Sequence, residues 1–281
     1  MAAVEIGVVV IPDAAGRDAV IEQVALADRL GLDLVGIQDH PYQRRFLETT
    51  SLLAFLAART ERIRLFPDVA NLPLRQPAVL AKEAATIDLL SGGRFELGLG
   101  AGAFWNAIGA MGGPVRSPGE SVEALEEAIA VVRAMWSGER TVDFEGRHYS
   151  LSGLHPGPAP AHDIGIWLGA YGPRMVRLTG RVADGWIPTL PRMPLDDVPS
   201  RQAAIDEAAR KAGRDPGAVK RIANLAPGDG FLDGGADAVA SEVLRLHREL
   251  RFEAFVFALG DDPVADITRI GAEIAPAVRS G

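Results

Sequence analysis

The 281-residue sequence contains no cysteine. That absence excludes disulfides, thiolate metal sites and a cysteine nucleophile. No apolar run approaches the roughly 18–20 residues that span a bilayer, so no membrane partner is predicted. Basic residues are also in deficit: 29 Lys and Arg stand against 37 Asp and Glu, for a formal net charge of −8. A nucleic-acid partner is therefore not expected, because such proteins concentrate positive charge.

Several catalytic and metal-binding motifs are missing as well. The five histidines form no His-x-His or HExxH pattern, which predicts no metal site. No G-x-S-x-G elbow or GxxxxGK[ST] loop is present. The start, MAAVEIGVVVIPD, has no basic region before its apolar run, so it predicts a first strand and a cytoplasmic protein, not a signal peptide.

What the sequence does contain is a regular alternation of short apolar runs and longer segments with helical spacing. The runs predict strands at 4–11, 33–38, 62–69, 94–100, 164–169, 184–188, 219–226 and 253–258. The helical segments lie near 17–31, 49–59, 77–90, 119–136, 173–182, 197–213, 235–250 and 263–279. Eight strands in strict alternation with eight helices favour an α/β fold, a closed (β/α)8 TIM barrel, over an open doubly wound sheet.

The whole chain, 1–281, is predicted to be a single barrel domain with two insertions. One insertion, 101–118, follows strand 4, and the other, 138–163, precedes strand 5. The second contains VDFEGRHYSL, which predicts a small hairpin around Glu145-Gly146.

Candidate site residues are those that follow the strands, because barrel enzymes bind ligands at the carboxyl ends of their strands. Asp39 and His40 follow strand 2, where they could act as acid and base or hydrogen-bond a flavin-like ring, unless they form an ordinary turn before a proline. After strand 3, Asn71 could bind a ligand amide, and Arg75 could face a phosphate or carboxylate.

Strands 4 and 5 end in glycine-rich segments. In GLGAGAFWN, Gly100, Ala101 and Gly102 allow a ligand to approach the backbone. Trp105 then adds a stacking surface, or core packing, and Asn106 adds an amide. After strand 5, GAYGPR opens a helix and predicts an anion site, the alternative being an ordinary strand-to-helix turn. Its candidate residues are Gly169, Ala170, Tyr171, Gly172 and Arg174.

Two longer stretches, LAKEAATIDLLSGGRFELGLGAG (80–102) and GAYGPRMVRLTGRVADGWIP (169–188), together resemble the bacterial-luciferase-like flavin and deazaflavin oxidoreductases. This resemblance implies a (β/α)8 barrel that binds FMN or the deazaflavin coenzyme F-420 at its carboxyl end. It places the ring against a strand-3 bulge with a non-prolyl cis peptide near Val69, Ala70 and Asn71. It also implies that the backbone amides of Gly169–Gly172 bind the phosphate.

The Asp39-His40 pair is similar to the deazaflavin-using branch of that family. The resemblance implies an oxidoreductase that moves a hydride between coenzyme F-420 and a small organic substrate, with His40 handling the proton. Ala103 stands where the sugar-phosphate dehydrogenases of that branch carry a glutamate, which argues against a sugar phosphate. The alternatives are an FMN-dependent monooxygenase, a non-redox barrel hydrolase or lyase, and a non-catalytic flavin-binding protein. The family resemblance also implies a homodimer.

Overall fold

The computed structural model describes residues 4–225 and 231–281. These residues form eleven strands: β1 (Glu5–Val10), β2 (Leu34–Ile37), β3 (Arg64–Pro67), β4 (Ala70–Asn71), β5 (Leu97–Gly100), β6 (Val142–Glu145), β7 (Ser150–Leu154), β8 (Ile166–Leu168), β9 (Gly185–Trp186), β10 (Lys220–Leu225) and β11 (Ala254–Ala258). Residue 226, the last of the predicted seventh strand, lies outside the described residues.

The described α-helices are α1 (Arg17–Arg29), α2 (Thr49–Ala57), α3 (Pro77–Ser91), α4 (Trp105–Ala110), α5 (Pro118–Trp136), α6 (Pro173–Val182), α7 (Val198–Lys211), α8 (Ala236–Leu250), α9 (Pro263–Arg269) and α10 (Ala275–Ser280). A π-helical turn over Ile270–Ile274 joins α9 to α10, so the two form the last predicted helix. None of these helices combines the length and apolar character needed to cross a membrane.

The nine strands other than β6 and β7 form one parallel sheet in the order β3-β2-β1-β11-β10-β9-β8-β5-β4. The sheet closes because β3 pairs with β2, while β4 pairs with β5 and Leu65 of β3 bridges Phe95 beside β5. β3 and β4 are therefore two halves of one barrel strand, and the predicted (β/α)8 barrel is confirmed. The strand predicted over 62–69 is shorter, Arg64–Pro67, and it resumes at Ala70 after a break beside the bulge that the family resemblance implied.

A small apolar cluster fills the barrel interior below its carboxyl end. Its members, one or two from most strands, are Val9, Leu34, Phe66, Trp167, Ile187, Ile222, Ala254 and Val256. The alternate residues of the strands point outward and pack against the helices in a larger cluster. Trp186 belongs to this outer layer: it is fully buried, stacks on Phe252 and donates its indole N–H to the carbonyl of Ala170.

The LSGGR motif ends α3 and ties neighbouring helices to the barrel. Gly92 and Gly93 both take positive φ, as the end of a helix commonly requires. The guanidinium of Arg94 then donates to the backbone carbonyls of Ala57 and Thr60 at the end of α2 and to that of Ile63. These carbonyls have no partner within α2, so Arg94 satisfies groups that would otherwise be unpaired.

The two long connections carry structure of their own. The one after β5 contains α4, and the one before β8 contains the antiparallel hairpin of β6 and β7. The end of the second connection is held at the amino end of the barrel, where the backbone N–H groups of Ala161 and His162 donate to Asp88. Residues of the first connection, among them Gly102 and Phe104, line the cavity at the carboxyl end of the barrel.

Candidate active site

A cavity of about 610 Å³ opens at the carboxyl end of the barrel. The residues after β2, β3, β5, β8, β9 and β10 contribute to its wall, together with the amino ends of α5 and α6. Its polar and charged lining residues are Gln38, Asp39, His40, Tyr42, Asp68, Asn71, Ser121, Tyr171, Arg174, Thr189, Arg192 and Asn224. The volume lies in the range of about 300–1,000 Å³ that is usual for small-molecule sites.

His40 lies in an aromatic enclosure on one wall of the cavity. Its Nδ1 is 2.8 Å from the Tyr42 hydroxyl. The edge of its ring meets the Phe104 ring at 5.7 Å between centroids, and the Phe46 ring lies 6.4 Å away. Burial lowers the pKa of His40; the charge of Asp39 opposes this shift, and that of Arg192 adds to it. Burial thus favours the neutral form of the imidazole, and Nε2 is left without a partner among the described residues.

Asp39, the other member of the predicted pair, is held away from His40. Arg75 grips the carboxylate with two hydrogen bonds of 2.8 Å, and the backbone N–H of Asn71 donates to it at 2.8 Å. Arg75 also bonds to Glu48 and Thr50 and is largely buried. Arg75, which was predicted to face a phosphate or carboxylate of a ligand, does not line this cavity and is paired instead with Asp39 and Glu48 of the chain itself. Asp39 can influence His40 through its charge.

Arg75 also contributes to the low pKa of Glu48. Burial raises the pKa of this carboxyl, but hydrogen bonds from the Ser51 backbone and from Arg75 outweigh burial and lower the pKa to about 2. Glu48 is in addition the N-cap of α2, where its side chain accepts from the Thr50 and Ser51 backbones. The Asp39–Arg75–Glu48 network thus fixes the start of α2 beside the cavity.

The floor of the cavity is the break in the third barrel strand. A non-prolyl cis peptide joins Asp68 to Val69, beside the position that the family resemblance implied. Val69 and Ala70 line the cavity with Asn71, whose Oδ1 atom is buried and has no hydrogen-bond partner within 4–225 and 231–281. Asn71 is only 6% exposed, so its free acceptor is available only to a group inside the cavity.

The break also explains the glycines of β5, and it corrects part of the interpretation of GLGAG. A Cβ at Gly98 would stand 2.1 Å from the carbonyl oxygen of Pro67, and one at Gly100 would stand 2.8 Å from the Val69 side chain. At these two positions glycine makes room for the bulge itself, not for a ligand. Gly100, Ala101 and Gly102 nevertheless line the cavity.

The segment after β8 meets the cavity at four of its five predicted positions. Gly169, Tyr171, Gly172 and Arg174 line it. Gly172 is the N-cap of α6, and the first α6 amide bonded within the helix is that of Val176. Amide N–H groups in the first turn are thus free for an anion. Ala170 is a correction: it is fully buried, and its carbonyl accepts from Trp186 in the outer layer.

The prediction for strand 4 is corrected at two further residues. Neither Trp105 nor Asn106 lines the cavity; Phe104 does instead. The reason is local: Phe104 takes the left-handed conformation, with φ of 50°, and α4 begins at the next residue. This turn directs the Phe104 ring toward His40, while Asn106 is exposed and the Trp105 ring lies against Gly102.

Sequence reasoning missed several lining residues. Asp68 lies deep in the cavity and accepts a 2.6 Å hydrogen bond from Asn224, which reaches it from β10. Burial raises the pKa of Asp68 to about 6, although the Asn224 bond opposes the shift. Both residues stand at or beyond strand ends, so a strict search of every strand end would have found them. Tyr42 lies two residues after His40. Phe104 lies two residues after Gly102, the last glycine of the segment that follows β5.

Comparison with known proteins places this geometry in context. The model of the luciferase-like monooxygenase family matches residues 5–228, which confirms the family resemblance. An F-420-dependent glucose-6-phosphate dehydrogenase of Nocardia farcinica is 34% identical over 218 residues, covering 75% of this chain and 64% of the relative. One of Microbacterium testaceum is 32% identical over 205 residues, covering 71% and 60%. The chain thus spans less than two thirds of these relatives' length.

Solved structures with the same fold are more distant in sequence. An F-420-dependent secondary alcohol dehydrogenase, solved with an F-420–acetone adduct, superposes with a TM-score of 0.86 at 18% identity, covering 98% of this chain and 99% of that one. The F-420-dependent tetrahydromethanopterin reductase of Methanopyrus kandleri gives a TM-score of 0.81 at 20% identity, with the same coverage. At such identities the likeness extends to the fold alone.

Proposed function

Because this chain belongs to the luciferase-like monooxygenase family, we propose that it is an oxidoreductase that uses the deazaflavin coenzyme F-420. Its curated relatives at 32–34% identity are F-420-dependent dehydrogenases, which supports this cofactor. The substrate we propose is a small organic alcohol or carbonyl compound. A homodimer, a cytoplasmic location and a single domain over 1–281 remain predictions.

The described residues fit such a coenzyme. A deazaflavin ring carries an imide N–H, and the unpartnered Asn71 Oδ1 is a buried acceptor beside the Val69–Ala70 bulge. The phosphorylated side chain would meet the amino end of α6 at Gly172 and the nearby Arg174 guanidinium. When bound, the coenzyme supplies hydride transfer at a substrate carbon.

The observation that carries the proposal is His40 on the wall of this cavity, with its Nδ1 bonded to Tyr42 and its Nε2 without a partner among the described residues. Nδ1 is occupied by Tyr42, so Nε2 is the nitrogen that can exchange a proton with a substrate oxygen. A group with a pKa near or below neutrality is suited to take that proton and release it again. His40 is thus the proposed proton-handling residue, and Asp39 contributes charge while bound to Arg75.

Two apolar residues, Ala103 and Phe104, line the cavity on the side of His40. Phe104 is a large apolar side chain that is 56% exposed. Burying apolar surface favours binding by about 25 cal/mol per Å². We therefore propose that the substrate carries an apolar group that packs on Phe104, with its oxygen directed to His40.

The proposal is tested by anaerobic titration of the purified protein with F-420 and, separately, with FMN, followed by fluorescence. Tight binding of F-420, weak binding of FMN and no oxygen consumption are expected. A screen of apolar alcohols and ketones should then change the visible absorbance of the coenzyme. Preference for FMN with oxygen uptake would instead identify a monooxygenase, and binding of neither would contradict the redox function.

A further inference from the structure

The orientation of His40 depends on a neighbour that the proposed function has not yet used. Tyr42 stands two residues after His40, and its hydroxyl is 2.8 Å from Nδ1, with the two rings tilted by 43° at 5.6 Å. Phe104 packs against both rings, 5.7 Å from His40 and 5.9 Å from Tyr42. These contacts fix the imidazole ring between a hydrogen bond on one edge and an aromatic face on another.

Other groups near His40 do not compete for Nδ1. Both oxygens of Asp39 are bound to Arg75. Arg192 repels a charged imidazole and has no hydrogen bond to it. Tyr42 is thus the residue that occupies Nδ1 among those that the structure describes. The pKa of Tyr42 is raised, first by burial and then by the Asp39 charge, while a hydrogen bond from the Asn71 side chain opposes the shift; the hydroxyl therefore stays neutral.

We propose that Tyr42 is a positioning residue for His40, whose hydroxyl directs Nε2 into the cavity and accommodates both protonation states of that nitrogen. This inference rests on the proposed function only for the identity of the proton donor, an alcohol substrate.

The chemistry follows from the hydroxyl being both a donor and an acceptor. When Nε2 carries a proton in the neutral ring, Nδ1 accepts from the Tyr42 O–H. When Nε2 is bare, Nδ1–H donates to the Tyr42 oxygen. A substrate O–H bond can then break toward Nε2, leaving its electron pair on oxygen and forming an imidazolium that still donates to Tyr42. A carboxylate partner would instead stabilise the imidazolium at all times and raise the pKa of His40.

The test is NMR of the coenzyme-free protein labelled with ¹⁵N in histidine, with His40→Asn used to assign the resonance. In Tyr42→Phe the imidazolium loses its acceptor, and a hydrogen bond to a charged group is about twice as strong as a neutral one. We expect the pKa of His40 to fall by roughly half to one unit in this variant. The tautomer ratio of His40 should change as well.

Tyr149→Phe is the matched control. The Tyr149 hydroxyl also has a hydrogen-bond partner, Arg116, but Tyr149 does not line the cavity. This variant should leave the His40 resonances unchanged. If Tyr42→Phe also leaves the tautomer and pKa of His40 unchanged while its melting temperature stays normal, the inference is wrong.

Enzyme kinetics separate this inference from the proposed function. With an active substrate, the acidic limb of the kcat/KM profile should shift in Tyr42→Phe by the same amount as the pKa measured by NMR, and not in Tyr149→Phe. A shift in the NMR pKa without any F-420 turnover would support the positioning role and contradict the proposed function. Normal F-420 turnover in Tyr42→Phe with unshifted His40 resonances would support the proposed function and contradict the positioning role of Tyr42.

Discussion

The two ends of the barrel use charged residues in opposite ways. At the amino end, Arg64 lies between Glu5 and Glu96, and Lys220 bonds to Glu5 at 2.6 Å. The second oxygen of Glu96 accepts from the Gly165 backbone at 2.7 Å. Charges here are paired inside the protein, as expected at the end of a barrel that serves stability.

At the carboxyl end, paired and unpaired groups stand side by side. Arg75 neutralises Asp39, but His40 Nε2 and Asn71 Oδ1 have no partner among the described residues, and Asp68 faces the cavity. Unpaired polar groups in a cavity cost stability and are tolerated where a ligand completes them. The comparison predicts that substitutions at one end change stability and those at the other change binding and turnover.

The largest effect is expected for His40→Ala. Loss of the proton-handling group should lower kcat/KM for an active substrate by about 10²- to 10⁴-fold, which is the usual contribution of general acid–base catalysis. Steady-state kinetics with F-420 give the value. His155→Ala, on the exposed hairpin, is the control and should retain full activity. Full turnover with an unchanged pH profile in His40→Ala would show that the assignment is wrong.

Arg64→Met removes a paired charge at the amino end of the barrel. It leaves Glu96, whose side chain is 8% exposed, without its main counter-charge. The free energy of unfolding, measured in urea, should fall by about 2–4 kcal/mol, because removing one partner of a buried ion pair leaves the other charge buried and unpaired. The affinity for F-420 should stay the same.

Arg245→Met is the surface control for that variant. Arg245 pairs with Glu242 and Glu249 along α8, where exposed pairs contribute about 0–1 kcal/mol. Equal losses of stability in the two variants would mean that the paired charges at the amino end have no special role.

Asp68→Asn tests how much stability the buried Asp68 carboxyl group costs at the carboxyl end of the barrel. Burial raises the pKa of Asp68 to about 6, so the folded chain binds more protons than the unfolded chain between about pH 4 and 6. The contribution to stability is fully present below about pH 4 and is lost as the pH rises through 6. Asparagine cannot ionise, so at pH 8 the variant should be more stable than wild type by about 1–3 kcal/mol.

Urea unfolding at pH 5 and pH 8 measures this difference. The gap between variant and wild type should be smaller at pH 5. A gap that is the same at both pH values would show that Asp68 does not titrate in this range.

The smallest effect is expected for Gly172→Ala. Gly172 has φ of −73° and ψ of 154°, and a Cβ there would meet nothing within 4 Å, so the free protein should tolerate alanine. Its methyl group would enter the predicted phosphate site, and a loss of one good contact predicts about tenfold weaker F-420 binding. Fluorescence titration measures this change.

Gly235→Ala is a closely matched control. Gly235 is the N-cap of α8 with φ of −73° and ψ of 161°, and a Cβ there also meets nothing within 4 Å, but it does not line the cavity. Equal F-420 affinities in the two variants would show that the phosphate does not bind at the amino end of α6.

The sequence predicted the elements of this fold well, because apolar periodicity reports which face of a strand or helix is buried. The break at Asp68–Val69 was implied only by the family resemblance, since nothing local in PDVAN distinguishes a bulge from a strand. Gly100 was assigned to the approach of a ligand, although it and Gly98 accommodate that bulge.

His40 and Gly172, both predicted as site residues from their places after strands, line the cavity. Asp39 lines it too, but the sequence could not show that Arg75, 36 residues away, binds its carboxylate, or that Asn224, 156 residues away, binds Asp68. The sequence also could not show that Phe104 takes the left-handed conformation, which places Phe104, and not Trp105, on the wall of the cavity. Neither kind of information is local in the sequence.

A crystal structure of the complex would show whether the carboxyl-end cavity holds F-420. We expect the ring to lie against Val69 and Ala70, with a ring N–H bonded to Asn71 Oδ1 and the phosphate at the amino end of α6. His40 Nε2 should face the open side of the ring. A coenzyme bound elsewhere, or one that leaves Asn71 Oδ1 without a partner, would show that this assignment of the cavity is wrong.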